Sequence, residues 1–210
     1  MQDQPELDRF IRELMDEPLD LDTDRHPKVA DLAAYLRRHL AAERPMALVF
    51  ICTHNSRRSQ MAQVWAQIAA AHFGIPKLTA YSGGTEVTAF HPNAVAALRS
   101  LGVAIQRTTD SENPRYAVTI PGSAHELTLF SKRFDADTNP REGFCAVMTC
   151  TQADESCPFV AGAETRIPLD YEDPKVSDGT PEAPETYRAC SRRIARELFF
   201  AFRQATAQPR

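Results

Sequence analysis

The chain has 210 residues, 43% of them hydrophobic and 25% charged, which predicts a soluble globular protein of one ordinary domain with a modest extension. The net charge of −4 argues against a general nucleic-acid-binding protein, because affinity for a phosphate backbone requires clustered positive charge. No apolar run approaches the roughly 18 residues of a membrane span, and the acidic first residues lack a signal-peptide core. We therefore expect a cytoplasmic protein without membrane contact.

The cysteine and arginine contents limit the kinds of site that the chain can form. Five cysteines are an odd number in a chain of this length, which argues against a secreted disulfide scaffold. The sequence contains no C-x-x-C and no H-x-x-x-H pair, so we expect no structural zinc site. Arginine outnumbers lysine 20 to 4, and most of the basic side chains can therefore make forked contacts with oxyanions.

Residues 1–44 are predicted to form a helical N-terminal extension. Two segments have apolar residues at helical spacing, and Pro18 with the acidic stretch after it separates them. The two apolar stripes are Leu7, Phe10, Ile11 and Leu14, and then Val29, Leu32, Leu36 and Leu40. We expect these stripes to pack on the main domain or on a partner.

Residues 45–207 are predicted to form an α/β domain. Met46–Ile51 is a continuous apolar run, typical of a strand buried on both faces, and a helix ending near Gly74 follows it. Leu78–Ser82 is the next predicted strand and Pro92–Leu101 the next helix. Strands that alternate with helices favour a parallel sheet.

The second half of the chain continues the alternation of strands and helices after a predicted insertion at 112–140. Two short strands around Pro121 are predicted to form a β-hairpin within it. Further strands are predicted over 146–149 and 165–169, and a last helix over about 184–204. The expected fold is a doubly wound parallel sheet of about four strands with helices on both faces.

The segment Cys52–Ser59, named here the oxyanion loop, has a Cys, five residues and then an Arg between a strand and a helix. A loop in this position directs backbone N–H groups into one concavity, where a tetrahedral oxyanion can bind and a forked guanidinium can hold it. The same field favours the thiolate of Cys52, which makes it a candidate nucleophile, with Arg58 as the anion-binding side chain. The candidate oxyanion-binding residues are Thr53, His54, Asn55, Ser56, Arg57, Arg58 and Ser59.

A general acid is sought in the loop before the last helix. Protonation of a leaving group requires a carboxylic acid facing the nucleophile. Four carboxylates lie in that loop: Asp170, Glu172, Asp173 and Asp178. Asp173 is favoured because Pro174 stiffens its backbone.

Cys150 and Cys157 suggest a redox switch. Cys150 lies at the end of a predicted strand and Cys157 follows on a polar loop, so the two sulfurs can meet only if that loop refolds. The alternative is that Cys150 is a core residue and that Cys157 has no role. Cys145 and Cys190 lie on apolar faces and are expected to be buried.

The sequence resembles the low-molecular-weight protein tyrosine phosphatases and the arsenate reductases that share their fold. The resemblance rests on the oxyanion loop, on Tyr81–Thr85, on the segment from His91 to Val103 and on Asp173-Pro174, and it covers about residues 46–110 and 145–203. It implies that Cys52 is the nucleophile, that Arg58 binds the oxyanion and that Asp173 is the general acid.

The cysteine spacing resembles that of the thioredoxin-coupled arsenate reductases. This resemblance implies that Cys52, Cys150 and Cys157 relay a disulfide, that arsenate is the substrate and that a thioredoxin-like protein is the reductant, with no bound cofactor. Some relatives bind potassium near the loop. Asn55, Ser82, Thr108 and Asp110 match such ligands, but Gln63 stands where those relatives carry Glu, which argues against the site.

Two other functions remain open. A phosphatase acting on phosphotyrosine would use Cys52, Arg58 and Asp173 unchanged, since phosphate and arsenate are near-isosteric. Lys175 follows Asp173-Pro174 where tyrosine-specific relatives usually have an aromatic wall, although Phe90 could supply one. A non-catalytic redox sensor or oxyanion-binding module is the third reading. His54 in place of the usual Gly and the additional Arg57 are departures from the family pattern.

Overall fold

The computed structural model describes residues 4–18, 23–123, 126–156 and 159–207. Its helices are α1 (Pro5–Asp16), α2 (Arg25–Ala41), α3 (Arg58–His72), α4 (Pro92–Ser100), α5 (Thr151–Ser156) and α6 (Ala183–Thr206). Its strands are β1 (Met46–Cys52), β2 (Leu78–Gly84), β3 (Ile105–Arg107), β4 (Tyr116–Val118), β5 (Leu127–Leu129), β6 (Phe144–Met148) and β7 (Ala163–Pro168). None of the helices in these ranges is long and apolar enough to span a bilayer.

Four parallel strands in the order β2-β1-β6-β7 form the main sheet. β1 lies at its centre and all but one of its residues are buried, as expected for an apolar run with neighbours on both sides. The register pairs Cys52 with Gly84 and Ile51 with Met148, so the carboxyl ends of β1, β2 and β6 meet at one edge. Functional loops of parallel sheets lie at this edge.

Two cores lie on opposite faces of the sheet, which confirms the predicted arrangement of helices on both faces. Leu48 and Phe50 of β1 belong to the larger core, with the helices α1 to α4 and α6. Val49 and Ile51, which alternate with them, belong to a smaller core with Ala153 of α5. This alternation follows from the period of two in a strand.

The N-terminal helices α1 and α2 pack on the larger core, and their predicted apolar stripes face it. The ring of Phe10 lies 5.2 Å from that of Trp65 in α3. The turn after α4 allows α1 to approach closely, because a Cβ on Gly102 would lie 2.3 Å from the backbone nitrogen of Leu7. Gly102 also has a φ of +87°, a conformation that other residues rarely adopt.

Two elements differ from the sequence-based expectation. β4 and β5 form the expected antiparallel hairpin, but β3, which was not predicted, joins them in a separate three-stranded sheet. The segment 151–156, expected to be a polar loop, is the helix α5. Both elements are too short and too exposed to produce a clear periodic pattern, since β3 has three residues and α5 has six.

Candidate active site

The oxyanion loop connects β1 to α3 and its backbone is fixed from two sides. Asn55 has a φ of +46°, and its buried side chain donates to Ser59 Oγ at 2.9 Å and accepts from the backbone N–H of Lys132 at 2.9 Å. Gly84 at the end of β2 lies so close that a Cβ there would be 2.6 Å from the Thr53 carbonyl oxygen. The loop is therefore held in one conformation before any anion binds.

Cys52 ends β1, and its sulfur lies 3.0 Å from Ser59 Oγ, within reach of a hydrogen bond. The thiol is 3% exposed and sits beside the first turn of α3, which starts at Arg58. The hydroxyl of Ser59 and the N-terminus of α3 both place positive potential beside this sulfur. This arrangement is suited to a nucleophilic cysteine.

Arg58 connects the oxyanion loop to the acid loop, defined here as residues 169–182 between β7 and α6. Its Nη1 donates to the Tyr171 carbonyl oxygen at 2.9 Å and its Nη2 to Asp173 Oδ2 at 2.5 Å. Its Nε is buried and has no hydrogen-bond partner among the described residues. One donor of the guanidinium therefore remains free for an additional acceptor. The structure thus brings Arg58 and Asp173 together, and Cys52 contacts Ser59, the residue after Arg58.

The adjacent Arg57 has different partners. Its Nε donates to the Tyr187 hydroxyl at 2.6 Å and its Nη2 to Asp178 Oδ2 at 2.8 Å. Burial lowers the pKa of this guanidinium, but the hydrogen bond to Tyr187 and the nearby carboxylates outweigh burial and raise it overall. The Tyr187 hydroxyl donates in turn to Asp178 Oδ1 at 2.6 Å, so Arg57 joins the oxyanion loop to both the acid loop and α6.

Asp178 is the acceptor at the centre of this second cluster. Burial raises the pKa of its carboxyl, but the hydrogen bonds from Tyr187 and Arg57 together outweigh that effect and hold the pKa below its usual range. His91, whose Nε2 lies 3.7 Å from Asp178 Oδ2, has a pKa lowered first by burial and then by Arg57. Asp178 is therefore committed to structural contacts.

The remaining loop residues line the edge of the site. His54 lies 3.3 Å from Glu86 through its Nε2, and its carbonyl oxygen accepts from Ser131 Oγ at 2.9 Å. Ser56 Oγ donates to the Ala89 carbonyl oxygen at 2.6 Å. A cavity of about 310 Å³ opens beside the loop, and its lining includes His54, Ser56, Arg57, Phe90, His91 and Lys175.

Phe90 belongs to the lining of this cavity but exposes little of its ring. Its side chain is 1% exposed and packs edge-on against Tyr116, with ring centres 5.5 Å apart. Lys175 is exposed in the 3-10 turn after Asp173. That Phe90 supplies an aromatic wall stays a prediction.

Cys150 lies at the edge where Cys52 lies. It follows β6, is buried in the smaller core together with Cys52, and its sulfur is 3.6 Å from Thr53 Oγ1. Its sulfur also accepts from the backbone N–H of Ala153 at 3.3 Å. Cys157 lies outside the described residues. Cys145 is fully buried as expected, whereas Cys190 is only partly buried, against the Glu172 carbonyl oxygen.

The residues suggested for potassium do not fit a cation site. The Asp110 side chain is 98% exposed and pairs with Arg107, and Thr108 Oγ1 donates to the Arg115 carbonyl oxygen. The Asn55 carboxamide oxygen already accepts from Lys132 N–H. Buried oxygens of Gln63 and Ser82 have no hydrogen-bond partner in the part of the chain that the structure describes, but two neutral oxygens alone do not form a coordination shell. Among the described residues no group of three or more His, Cys, Asp and Glu could hold a metal.

Sequence reasoning missed the contacts that backbone groups make. The Tyr171 carbonyl oxygen and the Lys132 N–H have no residue-specific signal, so nothing in the sequence could have identified them. The partners of Arg57 had a weak signal, since a second charged residue in a buried loop requires a counterion. The structure places Asp178, one of the four candidate carboxylates, and Tyr187 of α6 against Arg57.

Comparisons with known proteins identify the family of the chain. The family model "Low molecular weight phosphotyrosine protein phosphatase" matches residues 47–119. The chain is 30% identical over 135 residues to proteins named arsenate reductase from Bacillus licheniformis and from Halalkalibacterium halodurans, and each match covers 64% of this chain and 78% of the relative.

A solved structure with the same fold is that of a YwlE mutant from Bacillus subtilis. It aligns with a TM-score of 0.53 at 16% identity, over 76% of this chain and 97% of that one. The fold, the family model and the relatives lead to one assignment. The chain belongs to the enzyme family of the low-molecular-weight phosphotyrosine protein phosphatases and the arsenate reductases that share their fold.

Proposed function

We propose that the protein is an arsenate reductase in which Cys52 is the nucleophile and Cys150 and Cys157 carry the resulting disulfide to the surface. The observation that carries the proposal is the position of Cys150. Its sulfur and Cys52 belong to one buried cluster at the ends of the neighbouring strands β1 and β6, and Thr53 contacts Cys150 directly. Arsenate reductases from two organisms are the relatives reported above.

In the first step the Cys52 thiolate attacks arsenic. An S–As bond forms, an As–O bond breaks, and Asp173 donates the proton with which the departing oxygen leaves as water. The oxyanion loop N–H groups and Arg58 hold the remaining oxygens. Arg58 donates to the Asp173 carboxylate at 2.5 Å, so the proposed acid and the oxyanion share one guanidinium.

In the second step the Cys150 thiolate attacks Cys52 Sγ. A disulfide forms, the electron pair of the S–As bond stays on arsenic, and arsenic(V) leaves as arsenite, reduced to arsenic(III). In the third step Cys157 attacks Cys150 and releases the Cys52 thiolate. A dithiol protein of the thioredoxin class then reduces the Cys150–Cys157 disulfide and is itself oxidised.

The test is a coupled assay in which thioredoxin, its reductase and NADPH are supplied with arsenate, beside hydrolysis of an aryl phosphate. Cys52→Ser is expected to abolish both activities. Cys150→Ser and Cys157→Ser are expected to stop reduction but to spare hydrolysis, which water completes without them. Cys190→Ser is the matched control, because this partly buried thiol takes no part in the relay.

The trapped intermediate gives a second test. Cys157→Ser is expected to retain a Cys52–Cys150 disulfide after one turnover, since the sulfur that resolves it is absent. Mass spectrometry of the arsenate-treated variant, alkylated and digested without reductant, detects the crosslinked peptide. If all three thiols of the unmodified protein alkylate freely after arsenate treatment, the relay is wrong.

A phosphatase acting on phosphomonoesters is the second candidate. The same three residues serve it, and the matching family model carries the phosphatase name. Lys175 is exposed and Phe90 is only 1% exposed, so the cavity beside the loop offers little aromatic surface to a phosphotyrosine ring, which argues against that substrate. Hydrolysis without arsenate reduction would favour this function, and no turnover of either substrate would favour a redox sensor or an oxyanion-binding module.

A further inference from the structure

Arg25, the first residue of α2, reaches from the N-terminal helices to the acid loop. Its Nη1 donates to the Asp170 carbonyl oxygen at 2.6 Å, and its guanidinium carbon lies 4.6 Å from the centre of the Tyr171 ring. Its Nε and Nη2 donate to Glu197 of α6, at 3.0 and 2.5 Å. Four contacts from two elements, the acid loop and α6, therefore fix one buried guanidinium.

Arg58 binds the acid loop one residue further along the chain than Arg25 does. Its Nη1 donates to the Tyr171 carbonyl oxygen and its Nη2 to the Asp173 carboxylate. Tyr171 thus lies between two guanidiniums, with its ring against Arg25 and its carbonyl oxygen against Arg58. Tyr171 is also held at its backbone, because its N–H donates to the Thr149 carbonyl oxygen at 3.2 Å. Hydrogen bonds and ring contacts therefore connect α2 to the candidate general acid.

We propose that Arg25 is a positioning residue for Asp173, so that α2, outside the part of the chain that resembles the family, supports the active site. The inference rests on the proposed role of Asp173. Glu197 is 2% exposed and holds Arg25 in place, and Lys28 binds the Asp170 carboxylate at 2.9 Å from the same helix. An arginine suits this position because its fork binds two acceptors while its plane stacks on a ring.

The test uses the dependence on the leaving group. A displaced general acid slows the release of a basic leaving group, whereas a good leaving group departs without a proton. We expect Arg25→Gln/Glu197→Gln to lower kcat/KM for phenyl phosphate by about tenfold or more and for 2,4-dinitrophenyl phosphate by less than about threefold. The double variant removes both buried charges together, so that neither is left uncompensated.

Two control variants are needed. One tests whether any change in α2 lowers activity, and the other tests whether Asp173 is the general acid. Arg37→Gln changes an exposed arginine of α2 whose contact is the Gln204 carbonyl oxygen, and it is expected to change neither rate. Asp173→Asn is expected to show the same leaving-group dependence more strongly. Equal losses for both substrates in the double variant would overturn the positioning role, whereas a missing dependence in Asp173→Asn would overturn the proposed acid.

Amide hydrogen exchange tests the contact without turnover. In the double variant we expect faster exchange over residues 169–178, while peptides from β1 and α3 keep their rates. The Arg37→Gln variant is expected to match the unmodified protein throughout. Unchanged exchange over 169–178 would overturn the inference even if the activity were lost.

Discussion

Arg57 and Arg58 are adjacent in the chain but bind different parts of the protein. Arg58 binds Asp173 and has one buried donor that no described residue contacts, whereas Arg57 binds Asp178 and Tyr187. The difference follows from their places, because Arg57 is the non-helical residue before α3 and Arg58 is the first residue of that helix. Arg58 is therefore available to an oxyanion, and Arg57 is occupied in holding the loop.

We expect Arg58→Lys to reduce both arsenate reduction and aryl-phosphate hydrolysis by about 100-fold or more, because an ammonium cannot grip two oxygens in a fork. Arg57→Lys is the matched variant and is expected to cost less than about tenfold, since a lysine can still pair with Asp178. Steady-state kinetics of both variants checks this. Comparable losses in the two would identify Arg57 as a direct ligand of the substrate.

Lys132 is a buried lysine beside the oxyanion loop. It is 7% exposed, its Nζ lies 4.8 Å from the Phe130 ring centre, and no carboxylate pairs with it among the described residues. Burial, with a smaller contribution from Arg115, lowers its pKa to about 8. The unfolded chain keeps this proton until about pH 10.4, so the unfolded state binds more protons between these values and stability rises with pH across that window.

Lys132→Met is therefore expected to stabilise the protein below pH 8 and to lose this advantage as the pH approaches about 10. The gain at pH 7 should be about 1–2 kcal/mol, because the loss of the cation–ring contact offsets part of the relieved desolvation. Urea unfolding at several pH values measures it. A difference in stability that does not change with pH would show that the ammonium is well solvated in the folded protein.

At the scale of elements, the strand ends and not the strands determine the site. β1 and β2 end in register at Cys52 and Gly84, and the oxyanion loop passes directly over Gly84. A Cβ on Gly84 would lie 2.6 Å from the Thr53 carbonyl oxygen and 2.7 Å from the Asn55 nitrogen. Both are backbone atoms, so the loop itself would have to move.

Gly84→Ala is expected to lower kcat/KM for an aryl phosphate by about 100-fold, because a shift of the loop misplaces its N–H groups by a large fraction of an ångström. The variant is also expected to lose some stability, but to remain folded. Gly74→Ala is the control for backbone strain alone, since this glycine after α3 has a φ of +65° and nothing lies within 4 Å of a Cβ there. Kinetics with circular dichroism of both variants provides the measurement, and full activity of Gly84→Ala would contradict the close approach.

The sequence predicted the buried elements and the centre of the site, and its failures have physical reasons. Long periodic elements such as β1, α3 and α6 were recognised because burial imposes a pattern on many consecutive residues. β3 and α5 are too short for that. The pair Cys52 and Arg58 was visible in the spacing, whereas the contacts to Tyr171 and Lys132 use backbone groups, which any residue carries.

At the scale of the whole molecule, the N-terminal helices belong to the same core as the sheet. α1 buries Leu7, Phe10, Ile11 and Leu14, and Phe10 contacts Trp65 at the centre of α3. Arg203 of α6 also donates to the Met15 carbonyl oxygen at 3.2 Å. The larger core is continuous from α1 and α2 to the sheet. This continuity predicts one cooperative unfolding transition, in which α1 and α2 unfold together with the α/β sheet.

Phe10→Ala tests this cooperativity, because Trp65 is the single tryptophan of the sequence and its fluorescence reports directly on the contact with α1. We expect a loss of about 3–5 kcal/mol in the free energy of unfolding, the usual cost of removing a buried aromatic ring. The unfolding midpoints measured by fluorescence and by far-ultraviolet circular dichroism should shift by the same amount, since the removed contact belongs to the common core. Arg9→Ala, which changes an exposed residue of the same helix, should alter stability by less than about 0.5 kcal/mol. Separate transitions for the two signals would instead show that α1 unfolds from the sheet independently.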